Sequence, residues 1–476
     1  MRCMTLANEL RKRGGEIYFV CREYPGNLIS MLREAGFQVL ALPVYEVSQF
    51  EDAMLTIKAL NRRKPDWLVV DHYDLDFIWE ALLRPQVGYI LAIDDLANRK
   101  HECDLLLDQN DFINKEDRYH QFLPIWCTSK LGSRFFMLRP GFRTAGITQK
   151  RNGSKPERLF LYFGSGDLCD ATSTAIDALL EFNPALHVDV VVGAANPHAN
   201  KVADRCALLP NALLHRQTQQ IENLMAGASL ALGAGGITTY ERIAVGLYAI
   251  TVATAANQIE PLKYLATEGR LIYLGLAEQT SVTDWIRALS VWRTGVFPLA
   301  EITPIGSAMN RLVDLFFVEI RRFGSEHIDS TFGILADSEI RKAFAMTDEV
   351  TIERHRDYWS RKLTDVTEHV FALHYAGRHI GNLGLKPVDS KISDYEGWIY
   401  IASEAGRGLG EFAFRQLIKY AFSDLKLPRL VIHVLKDNKR AINLYAKIGF
   451  LSIPGPPDPI VWDSRAASIV KMELCA

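Results

Sequence analysis

The most informative stretch of the chain is residues 404–450, EAGRGLGEFAFRQLIKYAFSDLKLPRLVIHVLKDNKRAINLYAKIGF. It opens with a glycine-rich turn, Gly406–Gly410, and continues directly into an apolar spacing typical of an amphipathic helix. The apolar residues of that helix are Phe414, Leu417, Ile418, Ala421 and Phe422. The first amides of a helix lack an intrahelical partner, and glycines let a diphosphate approach them. This stretch therefore predicts a diphosphate-binding turn.

A strand and a second helix complete the pattern. Residues 430–435 have the composition of a buried strand, and the second helix is predicted to begin after Asp437-Asn438 and to end at Gly449. The pattern Asn-x-x-Ala-x-x-x-Tyr-x-x-x-Gly-Phe is formed by Asn438, Ala441, Tyr445, Gly449 and Phe450. Glycine turn, helix, strand and this second helix together resemble the acyl-CoA-binding half of the GNAT N-acetyltransferases.

The resemblance implies an acetyl-CoA site and a proton donor. It makes the following residues cofactor-binding: Arg407, Gly408, Leu409, Gly410, Glu411 and Asn438. Tyr445 is implied as the donor to the departing CoA thiolate, since a phenol of pKa about 10 can protonate a thiolate whose acid has a pKa of about 8.5. An isolated tyrosine on a helix face is usually a core residue; within this pattern we expect the catalytic role.

The acceptor side of this domain carries a weaker signal. Residues 339–359, EIRKAFAMTDEVTIERHRDYW, resemble the branch of the family that acetylates an amino sugar. The resemblance implies that His355, Trp359 and Glu396 face the acceptor. No residue of the sequence stands out as the general base.

Composition excludes several classes of protein. The net charge is −2, so no overall field favours nucleic acid. The seven cysteines include no Cys-x-x-Cys pair, which favours a reducing compartment and argues against a zinc site. No apolar run reaches the roughly 18 residues of a membrane helix. We expect a cytoplasmic protein with no metal cofactor, no membrane partner and no nucleic-acid partner.

Residues 1–145 alternate between strand-like and helix-like segments, which predicts a parallel sheet covered by helices. Ligands of such sheets bind beyond the carboxyl ends of the strands. Two polar clusters, Asp71-His72-Tyr73 and Asp94-Asp95, follow predicted strands at such positions. A lone Asp-His pair there is more often a turn or a helix cap than a catalytic pair.

Three segments of this region share a resemblance. VVDHYDLD (69–76), AIDDLANRKHECDLLLDQN (92–110) and LGSRFFMLRPGF (131–142) resemble the UDP-sugar hydrolases of pseudaminic acid biosynthesis. These enzymes release UDP from a 2,4-diacetamido-2,4,6-trideoxy-altrose nucleotide and have the two-domain fold of many glycosyltransferases. The resemblance implies that Tyr73 faces the sugar and that Asp71 and His72 shape the same pocket.

The family places a strand and a Gly-x-Gly-His loop before its Met-Arg-Cys-x-Thr-Leu-Ala helix, whereas this sequence begins at that helix, with Met1-Arg2-Cys3. Compared with the family, a central strand and the histidine that serves as catalytic base are absent from the sequence. Two explanations stay open: a misassigned or truncated start, or an impaired hydrolase half.

Residues 150–313 predict a second α/β half. The motif GAGGITTYE (233–241) is a glycine turn opening a helix, and ATAANQ (253–258) follows the next strand. Both resemble nucleotide-binding motifs of the same hydrolases, which implies that the amides of Gly235 and Gly236 meet the UDP diphosphate. Glu241 is then expected at the ribose, and Asn257 and Gln258 at the sugar or phosphate. On local physics alone, Glu241 is equally well a first-turn acid that favours the helix dipole.

The predicted fold is therefore α/β: two Rossmann-like halves of the glycosyltransferase-B type without the first strand, followed by a GNAT α+β domain. The predicted boundaries are 1–148, 149–313 and 314–476. We expect acetyl-CoA-dependent N-acetylation of a UDP-4-amino sugar and hydrolysis of the product to UDP and free sugar. The alternatives are a glycosyltransferase fused to an acetyltransferase, and a non-catalytic UDP-sugar-binding module beside an active acetyltransferase.

Overall fold

The structure is a computed structural model. It describes residues 2–44, 47–148, 158–183, 185–216, 218, 220–295, 304–343, 351–388, 394–402, 404, 406–453, 461–462, 465–466 and 469–476. The linker predicted over residues 150–155 and the proline-rich loop predicted over residues 454–459 lie outside these ranges.

The N-terminal region consists of helices packed around parallel strands. Its elements are α1 (Arg2–Lys12), β1 (Tyr18–Arg22), α2 (Ile29–Glu34), β2 (Gln38–Leu42), α3 (Gln49–Leu60), β3 (Trp67–Val70), α4 (Phe77–Leu83), β4 (Tyr89–Ile93), β5 (Leu105–Asp108), β6 (Thr128–Leu131) and α5 (Pro140–Thr148). The strands form two separate parallel sheets, β1-β2 and β3-β4-β5-β6. Asp71 and Asp95 follow β3 and β4, so both lie at the carboxyl edge of the four-stranded sheet.

The middle region is a six-stranded parallel sheet between helices. Its elements are β7 (Arg158–Tyr162), α6 (Ala171–Phe182), β8 (His187–Val192), α7 (Ala199–Cys206), β9 (Ala212–Arg216), α8 (Ile221–Gly227), β10 (Leu230–Ala234), α9 (Ile237–Ala244), β11 (Ala249–Ala253), α10 (Ile259–Thr267), β12 (Leu271–Leu276) and α11 (Val282–Thr294). The strand order is β12-β11-β10-β7-β8-β9. The order reverses between β7 and β10, so the glycine turn after β10 lies at a switch point where such sheets bind ligands.

The C-terminal region contains a seven-stranded, mainly antiparallel sheet. It comprises α12 (Met309–Asp314), β13 (Val318–Arg322), α13 (Ile328–Leu335), α14 (Ser338–Ala343), α15 (Ile352–Lys362), β14 (His369–Tyr375), β15 (Arg378–Pro387), β16 (Tyr395–Ile401), α16 (Leu409–Lys419), β17 (Arg429–Leu435), α17 (Lys439–Ile448), β18 (Leu451–Ser452), β19 (Val461–Trp462), β20 (Arg465–Ala466) and β21 (Ile469–Cys475). The parallel neighbours β16 and β17 pair only at Tyr395–Leu430 and Glu396–Val431 and then separate. That separation opens the sheet beside α16.

The N-terminal and C-terminal regions share one hydrophobic core, which runs from Leu91 and Leu107 of the parallel sheet to Phe412 and Leu417 of α16. Trp67 of β3 stacks on Phe412 with ring centroids 5.7 Å apart. Burying a side chain of that size stabilises a fold by about 1.5–3 kcal/mol. Helix α16 therefore serves both regions, as the helix after the glycine turn and as a covering layer of the parallel sheet.

Polar contacts reinforce this packing. Lys419 near the end of α16 forms an ion pair of 2.7 Å with Asp104, and Arg415 donates to the carbonyl of Ile125 at 2.8 Å. These contacts fix the orientation of α16 on the N-terminal region. The boundaries predicted at 148/149 and 313/314 stay predictions.

Most elements expected from the sequence are confirmed, with ends shifted by one or two residues. Six strands were not predicted: β6, β9, β12, β18, β19 and β20. The amphipathic pattern of residues 351–363 predicts that Leu363 faces inward, which is wrong, because 41% of its surface is exposed. Strand β6, TSKL, was missed because three of its four residues are polar, so the sequence has no apolar run or alternation there.

Candidate functional site

The first candidate site is a cavity of about 2090 Å³ bounded by the β16–β17 separation, the glycine turn and α17. Gly408 caps α16 with φ +85, a left-handed conformation that residues with a side chain rarely adopt. The cavity is lined by all the predicted cofactor residues, Arg407, Gly408, Leu409, Gly410, Glu411 and Asn438. The first amides of α16 have no intrahelical acceptor. The turn therefore presents amide donors toward an anion in the cavity.

The side chains around the turn have structural partners of their own. Arg407 pairs with Asp314 at 3.1 Å and with Glu404 at 2.7 Å, which anchors the turn to the end of α12. Asn438 accepts a hydrogen bond from the amide of Ala441 at 3.1 Å and so caps α17. Glu411 is buried beside Lys447, with 2.6 Å between their charged atoms. These residues shape the cavity, and the anion-binding capacity comes from the backbone.

Tyr445 lies on α17 with its ring buried against Phe414 and Phe450, at centroid distances of 4.9 and 5.7 Å. It also lines the cavity. Burial, with the nearby charge of Glu396, raises the pKa of Tyr445 above its ordinary value. The phenol therefore stays protonated at neutral pH, which is the form that can donate a proton.

Glu396 and His433 form a pair on the two separating strands. His433 Nδ1 lies 3.3 Å from Glu396 Oε1, and Lys386 Nζ lies 3.1 Å from Glu396 Oε2. Burial would raise the pKa of Glu396, but His433 and Lys386 outweigh it and hold that pKa below its usual value. The carboxylate is thus ionised at neutral pH and can accept a proton. His433 carries no signal in the sequence, because its position beside Glu396 depends on the register of β17 against β16.

The predicted acceptor-side residues line the same cavity but pack tightly. His355 is buried, and its Nε2 lies 3.0 Å from the carbonyl oxygen of Ile328. Burial lowers the pKa of His355. Trp359 stacks on Phe323 with centroids 4.4 Å apart. Both residues form a wall of the cavity.

The second candidate site is a cleft of about 350 Å³ between the two Rossmann-like halves. Five of the eight predicted substrate-binding residues line it: Asp71, Tyr73, Gly236, Asn257 and Gln258. Asn257 Nδ2 donates to the hydroxyl of Tyr73 at 3.2 Å, which links the halves across the cleft. Gln258 accepts from the amide of Thr254 at 2.9 Å. A Cβ on Gly235 would lie 2.8 Å from Gln258 Oε1, so a side chain at this position would displace Gln258.

The carboxylates of the cleft have different surroundings. Asp71 binds Arg2 at 2.6 Å and the Cys3 thiol at 2.9 Å. Burial would raise the pKa of Asp71, but the Arg2 guanidinium holds it below the ordinary value. Asp95 accepts from the Tyr73 hydroxyl at 3.3 Å through Oδ2, whereas its buried Oδ1 has no hydrogen-bond partner among the described residues. Arg2 is a cleft residue that the sequence interpretation did not select, and Asp95 belongs to the Asp94-Asp95 cluster expected at this edge of the sheet.

Three predicted residues, His72, Gly235 and Glu241, are not among those that line this cleft. The His72 side chain is about half exposed, and its Nδ1 accepts from the amide of Asp74 at 3.1 Å. Glu241 is buried, with Arg139 Nε 2.7 Å from Oε1, and burial raises the pKa of Glu241. The expected contact between Glu241 and a ribose stays a prediction.

Among the described residues, no group of three or more His, Cys, Asp or Glu side chains is arranged to hold a metal ion. No helix of the described ranges is long and apolar enough to cross a bilayer.

The fold and first cavity define the class of the C-terminal domain. Residues 318–451 match the family model of the acetyltransferase (GNAT) domain. The molecule is thus a mixed α/β protein with parallel sheets and a C-terminal GNAT acetyltransferase domain.

Individual relatives cover the two parts of the chain. The N-terminal part resembles UDP-2,4-diacetamido-2,4,6-trideoxy-beta-L-altropyranose hydrolase of Campylobacter jejuni, 23% identical over 55% of this chain and 89% of the relative. Acetyltransferase PseH of the same species is 27% identical over 22% of this chain and 66% of its own length. Spermidine N-acetyltransferase of Vibrio cholerae in complex with CoA and spermine aligns with 33% of this chain and 95% of its own, at 19% identity and a TM-score of 0.31.

Proposed function

We propose that the chain is a bifunctional enzyme of pseudaminic acid biosynthesis. Its C-terminal domain acetylates the 4-amino group of a UDP-4-amino-4,6-dideoxy-altrosamine, and its N-terminal part hydrolyses the UDP-diacetamido sugar to UDP and free sugar. The observation that carries the acetyltransferase assignment is one cavity lined by the glycine turn, Tyr445 and the Glu396–His433 pair. The similarity to the altropyranose hydrolase and to PseH supports the substrate assignment.

The residues of the cavity fit acetyl-CoA. The turn at the start of α16 offers amides to a diphosphate, and the β16–β17 separation gives room for an extended ligand. When bound, acetyl-CoA supplies the acetyl carbonyl that the sugar amine attacks, and the C–S bond breaks as the C–N bond forms. Tyr445 then donates its proton to the leaving sulfur. Glu396, beside His433, accepts the proton that the amine loses.

The cleft fits a UDP-sugar in a similar way. Gly236 begins α9 with φ +87, and the amides of that helix start point toward a cavity that Asn257 and Tyr73 close from the other side. In the proposed hydrolysis, water attacks the sugar and UDP leaves. We assign Asp95, whose Oδ1 has no hydrogen-bond partner among the described residues, as the group that orients that water.

One assay tests both assignments. The protein is mixed with acetyl-CoA and the UDP-4-amino sugar, and free thiol and UDP are followed together. Release of thiol followed by release of UDP supports the bifunctional enzyme. Thiol without UDP favours a binding-only N-terminal module, and UDP release that requires an added sugar or lipid acceptor favours a glycosyltransferase. Release of neither product would contradict the proposed substrate.

A further inference from the structure

The cavity of the acetyltransferase domain is not formed by that domain alone. Ser129, Lys130, Arg134 and Phe135 of the N-terminal region also line it, next to the glycine turn. This arrangement follows from the docking of α16 on the four-stranded sheet, because β6 then ends beside the start of α16. Two regions that are far apart in sequence therefore meet at the predicted diphosphate site.

Lys130 of the N-terminal region lies close to the turn. A Cβ built on Gly408 would lie 3.5 Å from Lys130 Nζ. The same amine lies 3.7 Å from Glu411 Oε2, and only 6% of the residue is exposed. A buried ammonium costs free energy unless an anion compensates it. Glu411 also pairs with Lys447 at 2.6 Å and with Arg415 at 3.7 Å, so the nearby acid is divided among three cations.

The charges around Lys130 leave a local positive excess. The groups that face it are Glu411 and Arg415 on α16, Lys447 on α17 and Arg134 after β6. Burial lowers the pKa of Lys130 to about 8, and the three neighbouring cations act in the same direction. One carboxylate therefore faces four basic side chains. A bound diphosphate would supply the missing negative charge.

From this geometry, we infer that Lys130 of the N-terminal region binds the diphosphate of acetyl-CoA together with the amides of the glycine turn. The acyl donor site is then completed by the hydrolase-like half. This inference rests on the proposed acetyl transfer and adds a residue from outside the GNAT domain. The packing of α16 on the four-stranded sheet thus also brings the Lys130 ammonium next to the glycine turn.

The first test is acetyl-CoA binding by calorimetry in the full chain. Lys130→Met keeps the length and apolar stem of the side chain and removes its charge. Loss of one charge-assisted contact predicts about tenfold weaker binding of acetyl-CoA and of 3′-dephospho-acetyl-CoA. The kcat/KM for S-acetylpantetheine, which has no diphosphate, should stay unchanged. An equal loss with S-acetylpantetheine would indicate a purely structural role and would overturn the inference.

The matched control is Lys419→Met. Lys419 lies on α16 and pairs with Asp104 across the interface between α16 and the N-terminal region, but it does not line the cavity. The Lys419→Met variant should bind acetyl-CoA with the affinity of the unaltered protein. Equal weakening in both variants would assign the effect to interface packing, and unaltered affinity in Lys130→Met would also overturn the inference. Failure of the unaltered protein to bind acetyl-CoA would instead remove the proposed function.

A pH series separates charge from shape. Because Lys130 loses its proton near pH 8 in the free protein, acetyl-CoA affinity should fall by up to about tenfold between pH 7 and pH 9. Arginine stays protonated over this range. Lys130→Arg should therefore keep the affinity measured at pH 7 and lose the decline, whereas Lys130→Met should bind weakly at both pH values. A decline that persists in Lys130→Arg would assign the titration to another group and contradict the role of Lys130.

Discussion

The two cavities of this molecule differ in how they are built. The acetyltransferase cavity is about 2090 Å³, and its proposed diphosphate site combines backbone amides at the start of α16 with the Lys130 ammonium. The cleft between the Rossmann-like halves is about 350 Å³ and is closed by a side-chain hydrogen bond from Asn257 to Tyr73. Most donors of the proposed diphosphate site are backbone amides, which do not depend on side-chain identity, whereas the cleft is lined mainly by individual side chains. The comparison predicts that point substitutions separate the two activities.

The largest expected effect is that of Tyr445→Phe. General acids contribute roughly 10²–10⁴-fold to rates, so acetyl transfer should fall at least about 100-fold. UDP release from a supplied UDP-diacetamido sugar should not change, because Tyr445 lines only the larger cavity. Thiol release and UDP release, measured on separate substrates, check the prediction.

Tyr420→Phe is the matched control, since the Tyr420 hydroxyl bonds to His369 and does not line the cavity. Full acetyl transfer by Tyr445→Phe would remove Tyr445 as the proton donor. A parallel loss of UDP release would show that the two cavities do not act independently.

A smaller loss, confined to the cleft, is expected from Asn257→Ala. This change removes the hydrogen bond of 3.2 Å to Tyr73 and one polar group of the cleft. A loss of about 1.5 kcal/mol corresponds to roughly tenfold weaker UDP-sugar binding. Acetyl transfer at saturating acceptor should stay within about twofold. Calorimetry with the UDP-sugar and the thiol assay measure the two quantities.

The control for that variant is Asn211→Ala, which also removes one side-chain hydrogen bond in the middle region but lies away from the cleft. If Asn257→Ala and Asn211→Ala bind the UDP-sugar equally well, Asn257 has no role in recognition. Such a result would contradict the claim that UDP-sugar binding depends on individual side chains of the cleft.

The same difference explains what the sequence could predict. The glycine turn, α16, β17 and α17 were predicted because they rest on local rules of helix starts, caps and apolar spacing. The catalytic-site assignments stay predictions, but the structure places Tyr445 and the turn in one cavity. Lys130, His433 and Arg2 carried no local signal, because each reaches its site through pairing between elements far apart in sequence. A glycine turn can be recognised from the local sequence, whereas the partner of a charged side chain depends on tertiary packing and cannot.

The smallest expected effect concerns stability and tests whether the two cavities share one folding unit. Three histidines of the C-terminal domain, His327, His374 and His379, have ring centroids 5.1–5.3 Å apart. Burial and the neighbouring histidine charges lower the pKa of His374 and of His379. The unfolded chain, with histidine pKa about 6.5, then binds more protons than the native state in mild acid. The free energy of unfolding should therefore fall as the pH drops below about 6.5.

Urea unfolding at pH 7.5 and pH 5.5 measures this loss, and His374→Phe should reduce it because one titrating ring is removed while its shape is kept. His187→Gln, at an exposed position, is the control and should not alter the pH dependence. Because one core joins Leu91 of the parallel sheet to Leu417 of α16, acetyl transfer and UDP-sugar binding should be lost in the same urea transition at both pH values. Two separate transitions would mean that the cavities belong to independent folding units. The position of the Lys130 ammonium beside the glycine turn would then depend only on the contact between two independently folded parts of the chain.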